Sequence, residues 1–426
     1  MGKCRESKEP ARTTPRAGRE EPVSLPVYLV SVETSGEIVA PACFRNRNDL
    51  RIVTLDSRPA RSTEARGSAL LEKIHYLAQF KPRPLTLKNI FDFGLHSTDE
   101  TLLTESRFLH QELPVRLAHR VKELETLPSG LSDMPSVFHV RRMYIDSIGD
   151  LTAFPRPETM EDDRRFTRTL EAIKVRHNNV VSIMAGGILE LKQSKGFDCM
   201  SPQIQECLDR FYMSRIGIRM LIGQHIALRE ATRQGYVGLI CDACSPADVT
   251  RAATGNARDL CALHYSTSPD VTLHGKTDLR FTYIPSHLQH MLFELLKNSL
   301  RAVVELHGGR PEPLPPVRVV IAEGEEDVTI KVSDEGGGIP RSGIDRIWTY
   351  LYSTAEPPPL GSRWPYKSDF QAPLAGLGYG LPLTRLYARY FGGDLQIISM
   401  EGYGTEAYLH LKRLGDTEES VPGRLV

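Results

Sequence analysis

The stretch Ser286–Glu305, SHLQHMLFELLKNSLRAVVE, decides how the rest of the chain is interpreted. On a helix with about 100° between successive side chains, its apolar residues cover roughly two thirds of the surface. The polar residues share one sector of about 80–100°. They are His290, Glu294, Lys297, Asn298, Arg301 and Glu305. We expect a helix this apolar to be buried on most sides and its polar sector to face a cleft; the simpler alternative is an amphipathic helix with a solvated face.

The start of this helix also has a signal in the sequence. Ser286 follows Pro285 and is itself followed three residues later by Gln289. Ser and Gln at this spacing are typical of a capping box, in which each side chain bonds the other residue's backbone N–H. The pattern therefore predicts that the helix begins at Ser286 with that box.

Composition limits the classes of protein to consider. The 426 residues are 40% hydrophobic and 25% charged, which is typical of a soluble globular chain. Lys and Arg total 53 and so do Asp and Glu, so the net charge of zero gives no whole-chain argument for binding nucleic acid or an anionic membrane. No apolar run approaches the roughly 18 residues of a membrane span, so none is expected.

The cysteines indicate free thiols. There are seven, an odd number scattered along the chain, which favours a reducing compartment. Cys241 and Cys244 have the CxxC spacing of zinc and redox sites, but no second CxxC or histidine pair accompanies them. A metal or redox function at this pair therefore has little support.

Residues 1–70 are predicted to form a flexible arm, because they are rich in Arg, Glu, Pro, Ser and Thr and lack apolar periodicity. Within them only Pro26–Val32, PVYLVSV, has the pattern of a strand. The arginines of the arm suit a mitochondrial transit peptide and its glutamates do not, so the composition leaves targeting open.

Residues 71–245 are predicted to form a helical-bundle domain. Apolar residues recur at spacings of three and four in long stretches joined by short polar segments, which indicates an antiparallel four-helix bundle. The stretches are Glu112–Leu127, Pro135–Phe154, Pro157–Lys192 and Pro202–Leu228.

Residues 246–415 are predicted to form an α+β domain, with an antiparallel or mixed sheet and helices on one face. The transitional segment Tyr236–Thr267 contains a linker with the CxxC and then a helix at about 247–264. A second helix is expected at Leu381–Phe391. The predicted strands are Asp278–Ile284, Val317–Ala322, Val328–Val332, Leu395–Met400 and Glu406–Leu411. Residues 416–426 are left as a short tail.

Two glycine-rich motifs follow the opening helix. Asp334-Glu-Gly-Gly-Gly338 ends a predicted strand; its carboxylate can accept a hydrogen bond from an exocyclic amine, and its glycines let a ligand approach the backbone. Gly376-Leu-Gly-Tyr-Gly380 leads directly into a predicted helix, whose free N–H groups suit phosphate. Either motif alone is also compatible with an ordinary turn.

The order of these features is more specific than any one of them. A helix with Glu294 and Asn298, then DxGGG, then GxGxG, then Gly404-Thr405 resembles the ATPase superfamily of histidine kinases, gyrase B and MutL (GHKL). The text between the motifs resembles the mitochondrial pyruvate dehydrogenase kinase family over about residues 80–414. The strings that carry this resemblance are ELPVRLAHR (112–120), RHNNVV (176–181), LDRFYMSRI (208–216), PSHLQHMLFELLKNSLRA (285–302), YSTA (352–355), PLAGLGYGLPLTRLYARYF (373–391) and GDLQIISMEGYGT (393–405).

The resemblance implies a fold and a set of roles. The fold is an N-terminal antiparallel four-helix bundle followed by a GHKL (Bergerat-type) α/β-sandwich ATPase domain. Glu294 would be the general base, and His290, one turn earlier, would tune it. Asn298 would give an oxygen to Mg²⁺, and Asp334 would receive the adenine amine. The ATP-binding set is Glu294, Lys297, Asn298, Arg301, Asp334, Gly336, Gly338, Ser353, Thr354, Gly376, Leu377, Gly378, Tyr379, Gly380, Leu381 and Thr405.

The implied function is an ATP- and Mg²⁺-dependent serine kinase. It would phosphorylate and inactivate the E1 component of the pyruvate dehydrogenase complex in the mitochondrial matrix, and so regulate the supply of acetyl-CoA from glucose. The implied partners are E1, the lipoyl domain of E2 and a second copy in a homodimer. His177, Arg215 and Arg219 match positions where the family binds small carboxylate effectors such as pyruvate, although a structural salt bridge explains them equally well.

The sequence departs from the family pattern in two places. By the resemblance, the segment from Ser353 to Ala375 forms a lid over the nucleotide, and it is longer than the family's lid. The sequence after the last strand is shorter than the family's tail, so weaker docking to E2 is expected.

Three other functions are alternatives. They are a branched-chain 2-oxoacid dehydrogenase kinase, a sensor histidine kinase with His177 as phosphoacceptor, and a non-catalytic ATP-binding scaffold on the E2 core.

Overall fold

A computed structural model describes residues 60–195, 201–230, 233–309, 311–353 and 378–421. The first helix, α1, spans Ala60–Leu77 and has Ile74 buried against the helices that follow. This helix overlaps the predicted arm of residues 1–70 over residues 60–70, and the arm itself stays a prediction. The candidate strand Pro26–Val32 lies outside the described residues.

The first half of the described chain is helical. After α1 come α2 (Leu87–Gly94), α3 (Asp99–Glu125), α4 (Pro135–Ala153), α5 (Met160–Arg176), α6 (Val180–Lys195) and α7 (Pro202–Ala227), with a short 3-10 helix at Pro128–Asp133. α3 packs against α4 and α7, α5 packs against α7, and α4 packs against α6. Their facing side chains, among them Leu113, Tyr144 and Phe211, form a fully buried core. The grouping of these helices as a four-helix bundle stays a prediction.

One predicted helix is two helices. The stretch Pro157–Lys192 is interrupted by a turn at 177–179, so α5 ends at Arg176 and α6 begins at Val180. The carbonyls of His177 and Asn178 are both bonded by Arg215 of α7, at 3.0 and 3.4 Å. Asn side chains compete with the helical hydrogen-bond pattern, and a cation from another helix stabilises the freed carbonyls. Helical periodicity continues through the turn, which is why the break was not predicted.

α3 also begins earlier than expected. Its N-cap is Thr98, which exchanges side-chain and backbone hydrogen bonds with Thr101. The predicted start was Glu112. The first turns of α3 are rich in Thr and Glu, so apolar spacing does not reveal them, whereas the capping box holds them in helical form.

The second half adds two sheets to three helices. Its helices are α8 (Pro246–Tyr265), α9 (Pro285–His307) and α10 (Gly380–Tyr390), with a 3-10 turn at Ile344–Arg346. Its strands are β1 (Tyr236–Val237), β2 (Ile240–Cys244), β3 (Val271–Gly275), β4 (Phe281–Tyr283), β5 (Val317–Glu323), β6 (Asp327–Asp334), β7 (Asp394–Met400) and β8 (Gly404–Lys412). The larger sheet has the order β3-β5-β6-β8-β7, with β3 and β5 parallel and the other pairs antiparallel. Of the two arrangements predicted, antiparallel or mixed, the sheet has the mixed one.

The smaller sheet corrects the interpretation of the CxxC segment. Cys241 and Cys244 lie on β2, which pairs with β4 antiparallel, so the segment is a strand and not a linker. This pairing crosses the predicted domain boundary at 245/246, and that boundary stays a prediction. Burial raises the pKa of the Cys244 thiol to about 12, which leaves it protonated and unreactive at neutral pH. Both cysteines are free thiols.

α9 is the central helix of this half. It packs against α8, α10 and β6, and most of its apolar side chains are buried, although Leu306 in its last turn is exposed. It begins at Pro285 with Ile284 as N-cap and no side-chain capping bond, so the predicted capping box at Ser286 is wrong. Proline at the first helical position has no N–H to satisfy, and the N–H groups of His287 and Leu288 both bond the Ile284 carbonyl. None of the described helices is both long and apolar enough to cross a membrane.

Candidate active site

A single cleft brings the polar face of α9 together with both glycine motifs. Its walls are α9, the loop after β6, the residues that precede and begin α10, and the first part of β8. The predicted nucleotide-binding residues that line it are Glu294, Lys297, Asn298, Arg301, Asp334, Gly336, Gly338, Ser353, Gly378, Gly380, Leu381 and Thr405. Thr354, Gly376 and Leu377, together with nearly all of the predicted lid, lie outside the described residues. The polar sector of α9 does border a cleft.

Glu294 is held by a lysine of the next turn. Its Oε1 accepts a hydrogen bond from Lys297 Nζ at 2.8 Å, and both side chains are buried. Burial raises the pKa of Glu294, but Lys297 and His290 lower it by more, so the net pKa is below the ordinary value. The carboxylate is therefore ionised at neutral pH. The Cα of Gly380 lies against it, since a Cβ there would be 2.4 Å from Glu294 Oε2.

His290 does not line the cleft, although it acts on Glu294 electrostatically. Its ring packs edge to face with Tyr387 of α10 at 4.9 Å between centroids. Tyr387 contacts His287 in the same way and at the same distance. The ring of His290 is therefore fixed by α10, at a position from which it lowers the pKa of Glu294.

Asp334 is anchored by three hydrogen bonds at the end of β6. Oδ2 accepts from the Ser299 hydroxyl at 2.7 Å, and Oδ1 accepts from the backbone N–H groups of Gly336 at 3.0 Å and Thr405 at 3.4 Å. Burial raises the pKa of this carboxyl, and the three donors lower it in part. A carboxylate has about four lone-pair sites, so Oδ2 still has room for one donor from a ligand in the cleft.

Two motif glycines lie where a side chain cannot fit. Gly338 has φ +71°, and a Cβ there would be 2.2 Å from the Met400 carbonyl oxygen. Gly378 has φ +73°, and its Cβ would be 2.4 Å from the Tyr352 carbonyl oxygen. Both positions combine a left-handed backbone with close approach to a second backbone, which only glycine allows. The motifs thus bring bare backbone to the cleft wall.

The N-terminus of α10 faces the same cleft. Gly380 begins the helix, and Tyr379 is its N-cap without a side-chain capping bond. The first backbone N–H groups of α10 are therefore available to bind an anion, except at Pro382, which has no N–H. The α9 wall of the cleft carries Lys297 and Arg301, and Arg301 Nε donates to Glu305 at 2.7 Å.

Tyr379 is placed differently from the prediction. It was expected to bind ATP, but its side chain is 6% exposed and does not line the cleft. It packs instead against Tyr212 of α7 and Tyr350, with centroid distances of 5.7 and 5.0 Å. Because the ring is packed in this cluster, only the backbone of Tyr379 is left for a ligand.

The donors on the cleft wall fit magnesium without a protein cage. Asn298 is exposed and lines the cleft, and its amide oxygen is a ligand type that Mg²⁺ accepts. Within the described ranges, no three His, Cys, Asp or Glu side chains converge as a metal site. Magnesium usually takes one or two protein ligands and completes its shell with phosphates and water, so this set suits it.

The three predicted effector residues lie together in the helical half of the chain. Arg215 donates to the His177 carbonyl, and Arg219 donates to the Asn178 side chain at 3.2 Å. His177 is buried, its Nε2 is 3.0 Å from the Ser147 hydroxyl, and burial lowers its pKa to about 3. The Tyr144 ring packs on His177 at 4.4 Å, and its buried hydroxyl has no hydrogen-bond partner among the described atoms.

Sequence reasoning missed several residues of these sites. Ser299, which holds Asp334, falls outside the polar sector of α9, and Tyr352 precedes the predicted lid. Tyr144 and Ser147 reach His177 from another helix, α4. None of the four carries a local signal, because each is selected by a contact distant in the chain.

Two family models match the chain in consecutive parts. The model described as mitochondrial branched-chain alpha-ketoacid dehydrogenase kinase matches residues 84–241, and the one described as histidine kinase-, DNA gyrase B-, and HSP90-like ATPase matches residues 283–414. The first match covers the helical half, and the second covers α9, the glycine motifs and strands β5 to β8.

Several curated proteins are similar over most of their length. A kinase from Arabidopsis thaliana is 49% identical over 83% of this chain and 97% of its own. A Drosophila melanogaster kinase is 43% identical over 84% and 89%, and human isozyme 1 is 43% identical over 82% of each. All three are named mitochondrial pyruvate dehydrogenase (acetyl-transferring) kinases. With such identity to relatives that it covers so fully, and with a GHKL-type ATPase domain behind the cleft, this chain belongs to the pyruvate dehydrogenase kinase family.

Proposed function

We propose that the protein is a Mg²⁺-dependent protein serine kinase that uses ATP to phosphorylate, and thereby inactivate, the E1 component of the pyruvate dehydrogenase complex. The observation that carries the proposal is the shared cleft: an ionised Glu294, the anchored Asp334 and the bare backbone at Gly378 and Gly380 all border it. Phosphoryl transfer needs positioning and charge neutralisation more than covalent chemistry, and these residues supply both.

In this proposal the nucleotide lies along the cleft. Asp334 Oδ2 accepts the adenine amine, and Thr405 closes that end. The triphosphate meets the α10 N-terminus and the glycine backbone, where N–H groups and the helix dipole favour negative charge. Lys297 and Arg301 add positive charge on the opposite wall. Asn298 would hold Mg²⁺, which neutralises charge on the phosphate oxygens when bound.

Glu294 would accept the proton of the substrate serine hydroxyl as that oxygen attacks the γ-phosphoryl group. In the structure Lys297 is bonded to Glu294. A triphosphate in the cleft offers Lys297 a second partner, and loss of its bond to Glu294 would raise the pKa of the carboxylate and make it a better base. His290, fixed by Tyr387, keeps the carboxylate oriented.

The relatives' names favour pyruvate dehydrogenase over the branched-chain complex as substrate, although the model that matches the helical half carries the branched-chain name. A sensor histidine kinase is disfavoured by the burial of His177, since a phosphoacceptor must reach a second active site. The ionised Glu294 disfavours a scaffold without catalysis.

The relatives' names also support a mitochondrial location, and we propose the matrix. The buried Tyr144 hydroxyl beside His177, Arg215 and Arg219 supports a small carboxylate effector in the helical half.

For the homodimer we propose the outer face of the larger sheet as the interface. Its edge strand β7 exposes Ile398 and Met400, whose exposed fractions are 59% and 67%. Docking to the lipoyl domain of E2 completes the proposed set of partners.

Transfer of labelled phosphate to purified E1 tests the function. We expect wild-type protein to phosphorylate serine on pyruvate dehydrogenase E1 more strongly than on branched-chain E1, with and without E2. Glu294→Gln should bind ATP but lose about 10²–10⁴-fold in transfer rate. Unchanged transfer by Glu294→Gln would exclude it as the base, and acid-labile label on the kinase itself would favour a histidine kinase.

A further inference from the structure

Three tyrosines from distant parts of the chain form a closed cluster beneath the cleft. Tyr212 comes from α7, Tyr350 from the segment after β6, and Tyr379 from the glycine motif. The centroid distances are 5.3 Å for Tyr212–Tyr350, 5.7 Å for Tyr212–Tyr379 and 5.0 Å for Tyr350–Tyr379. All three rings are at most 6% exposed. Each ring therefore fixes the other two.

The cluster is held from the bundle side by one stripe of α7. Gln205, Asp209 and Tyr212 follow at spacings of four and three, which places them on one face of the helix. Gln205 Oε1 accepts from the Tyr350 backbone N–H at 2.9 Å, and Asp209 Oδ1 accepts from the Tyr350 hydroxyl at 2.5 Å. The Tyr212 hydroxyl reaches the Tyr379 hydroxyl at 3.4 Å. α7 thus holds both Tyr350 and Tyr379 in place through these hydrogen bonds.

The other side of the cluster is the cleft wall. Gly378 and Gly380, on either side of Tyr379, line the cleft, and Gly378 lies against the backbone of Tyr352, two residues after Tyr350. Movement of the Tyr379 ring would shift both glycines. It would also move the first residue of α10 relative to Glu294, since the Cα of Gly380 lies against that carboxylate.

We propose that Tyr212 is a positioning residue for nucleotide binding: from the helical half of the molecule, it sets the position of the glycine loop by packing on Tyr379 and Tyr350. The proposal rests on the proposed function, in which Gly378 and Gly380 contact the triphosphate. It adds a residue of α7 that touches no ligand to the determinants of ATP affinity.

Binding of ATP–Mg²⁺ to full-length variants, measured by calorimetry beside thermal unfolding, tests this. Tyr212→Ala should raise the dissociation constant for ATP about tenfold, because the glycine loop loses its support. Tyr212→Phe keeps the ring and should stay within about twofold of wild type. In kinase assays Tyr212→Ala should raise the KM for ATP more than it lowers kcat at saturation.

The control separates positioning from general stability. Phe166 is fully buried in the same helical half, and its ring contacts are with His110, Phe154 and His225, not with the cluster. Phe166→Ala should lower the unfolding temperature as Tyr212→Ala does and leave the ATP dissociation constant unchanged. Should Tyr212→Ala give no soluble protein, Tyr212→Leu replaces it with the same expected direction.

An ATP dissociation constant for Tyr212→Ala, or for Tyr212→Leu in its place, within twofold of wild type would overturn the proposal, as would an equal rise for Phe166→Ala. Neither result would contradict the proposed kinase function. Wild-type protein that binds no ATP would overturn the proposed function, whatever the variants do.

Discussion

Lys297 is the residue that sets the charge state of the proposed base. Its Nζ lies 2.8 Å from Glu294 Oε1, and both side chains are withdrawn from water, so screening by salt is weak. Burial raises the pKa of Glu294, whereas Lys297 and then His290 lower it below the ordinary value. Without Lys297, burial would dominate and the pKa of Glu294 would rise.

We therefore expect Lys297→Met to shift the pH dependence of the kinase. A base must be ionised, so activity falls on the acid side as Glu294 takes up a proton. Since loss of the cation raises the pKa of Glu294, the acid limb of kcat should move to higher pH. The measurement is kcat against pH at saturating ATP, so that weaker nucleotide binding does not enter. Lys297→Arg keeps the charge and should keep the limb near its wild-type position; a limb unmoved in Lys297→Met would contradict this assignment.

At the scale of elements, Gly378 connects the glycine motif to the segment before it. Gly378→Ala would place a methyl group 2.4 Å from the Tyr352 carbonyl oxygen on a backbone with φ +73°. A left-handed conformation alone costs a residue with a Cβ about 1–2 kcal/mol. We expect the variant to lose at least that much stability and to bind ATP at least about tenfold more weakly, measured by urea unfolding and nucleotide titration.

Gly255 offers a matched control for that substitution. It lies within α8, and a Cβ there would have no neighbour within 4 Å. Gly255→Ala should stabilise the protein by about 0.5–1 kcal/mol, since alanine is the better helix former. A destabilised Gly255→Ala, or a Gly378→Ala that unfolds and binds ATP like wild type, would contradict the geometric argument.

The elements that could be predicted from the sequence are those with strong local patterns. α8 and α10 begin within a residue of their predicted starts, and β5, β6, β7 and β8 lie where alternating residues predicted them. β3 was missed because its parallel pairing with β5 requires α9 and is invisible locally. β2 was taken for a linker because its Cys-Asp-Ala-Cys sequence has little apolar alternation, and only its pairing with β4 makes it a strand.

The candidate site likewise has residues that the sequence predicts and contacts that it does not. Residues of the glycine motifs and of α9 could be named because their spacing and order are themselves the signal. The orientation of Tyr379, the hydrogen bond from Ser299 to Asp334 and the cluster around Tyr212 could not, because each joins residues at least 29 positions apart. Those contacts follow from how helices and sheet pack, which local sequence does not encode.

At the scale of the whole molecule, the last described segment returns to the helical half. Glu419 is buried and accepts hydrogen bonds from Arg116 of α3 at 2.7 and 3.0 Å, from the Leu85 N–H at 3.1 Å and from the hydroxyl of Tyr390 at the end of α10. Its own N–H donates to the Leu85 carbonyl at 2.8 Å. One carboxylate thus joins α3, the segment before α2 and α10. Since α10 begins at the cleft, this cluster and the three tyrosines hold that helix to the bundle at both ends.

Removal of that carboxylate should therefore destabilise the protein strongly and affect ATP binding only secondarily. Glu419→Ala would leave the Arg116 guanidinium, which is 4% exposed, with Glu112 as its one charged partner among the described residues and with the neutral Arg83 carbonyl. It would also remove the acceptor of the Tyr390 hydroxyl. Breaking a buried ion pair by removal of one partner costs about 3–5 kcal/mol, because the remaining charge stays desolvated. The measurement is the free energy of unfolding in urea, with Asp416→Ala as control, since that nearby carboxylate is exposed and its removal should change stability by no more than about 0.5 kcal/mol. Equal small effects for both variants would mean that water replaces the carboxylate and that this segment does not join the two halves. A loss of stability specific to Glu419→Ala would mean that the packing of α10 on the helical half depends on Glu419. The position of the cleft wall would then depend on a residue more than 100 positions from the proposed base.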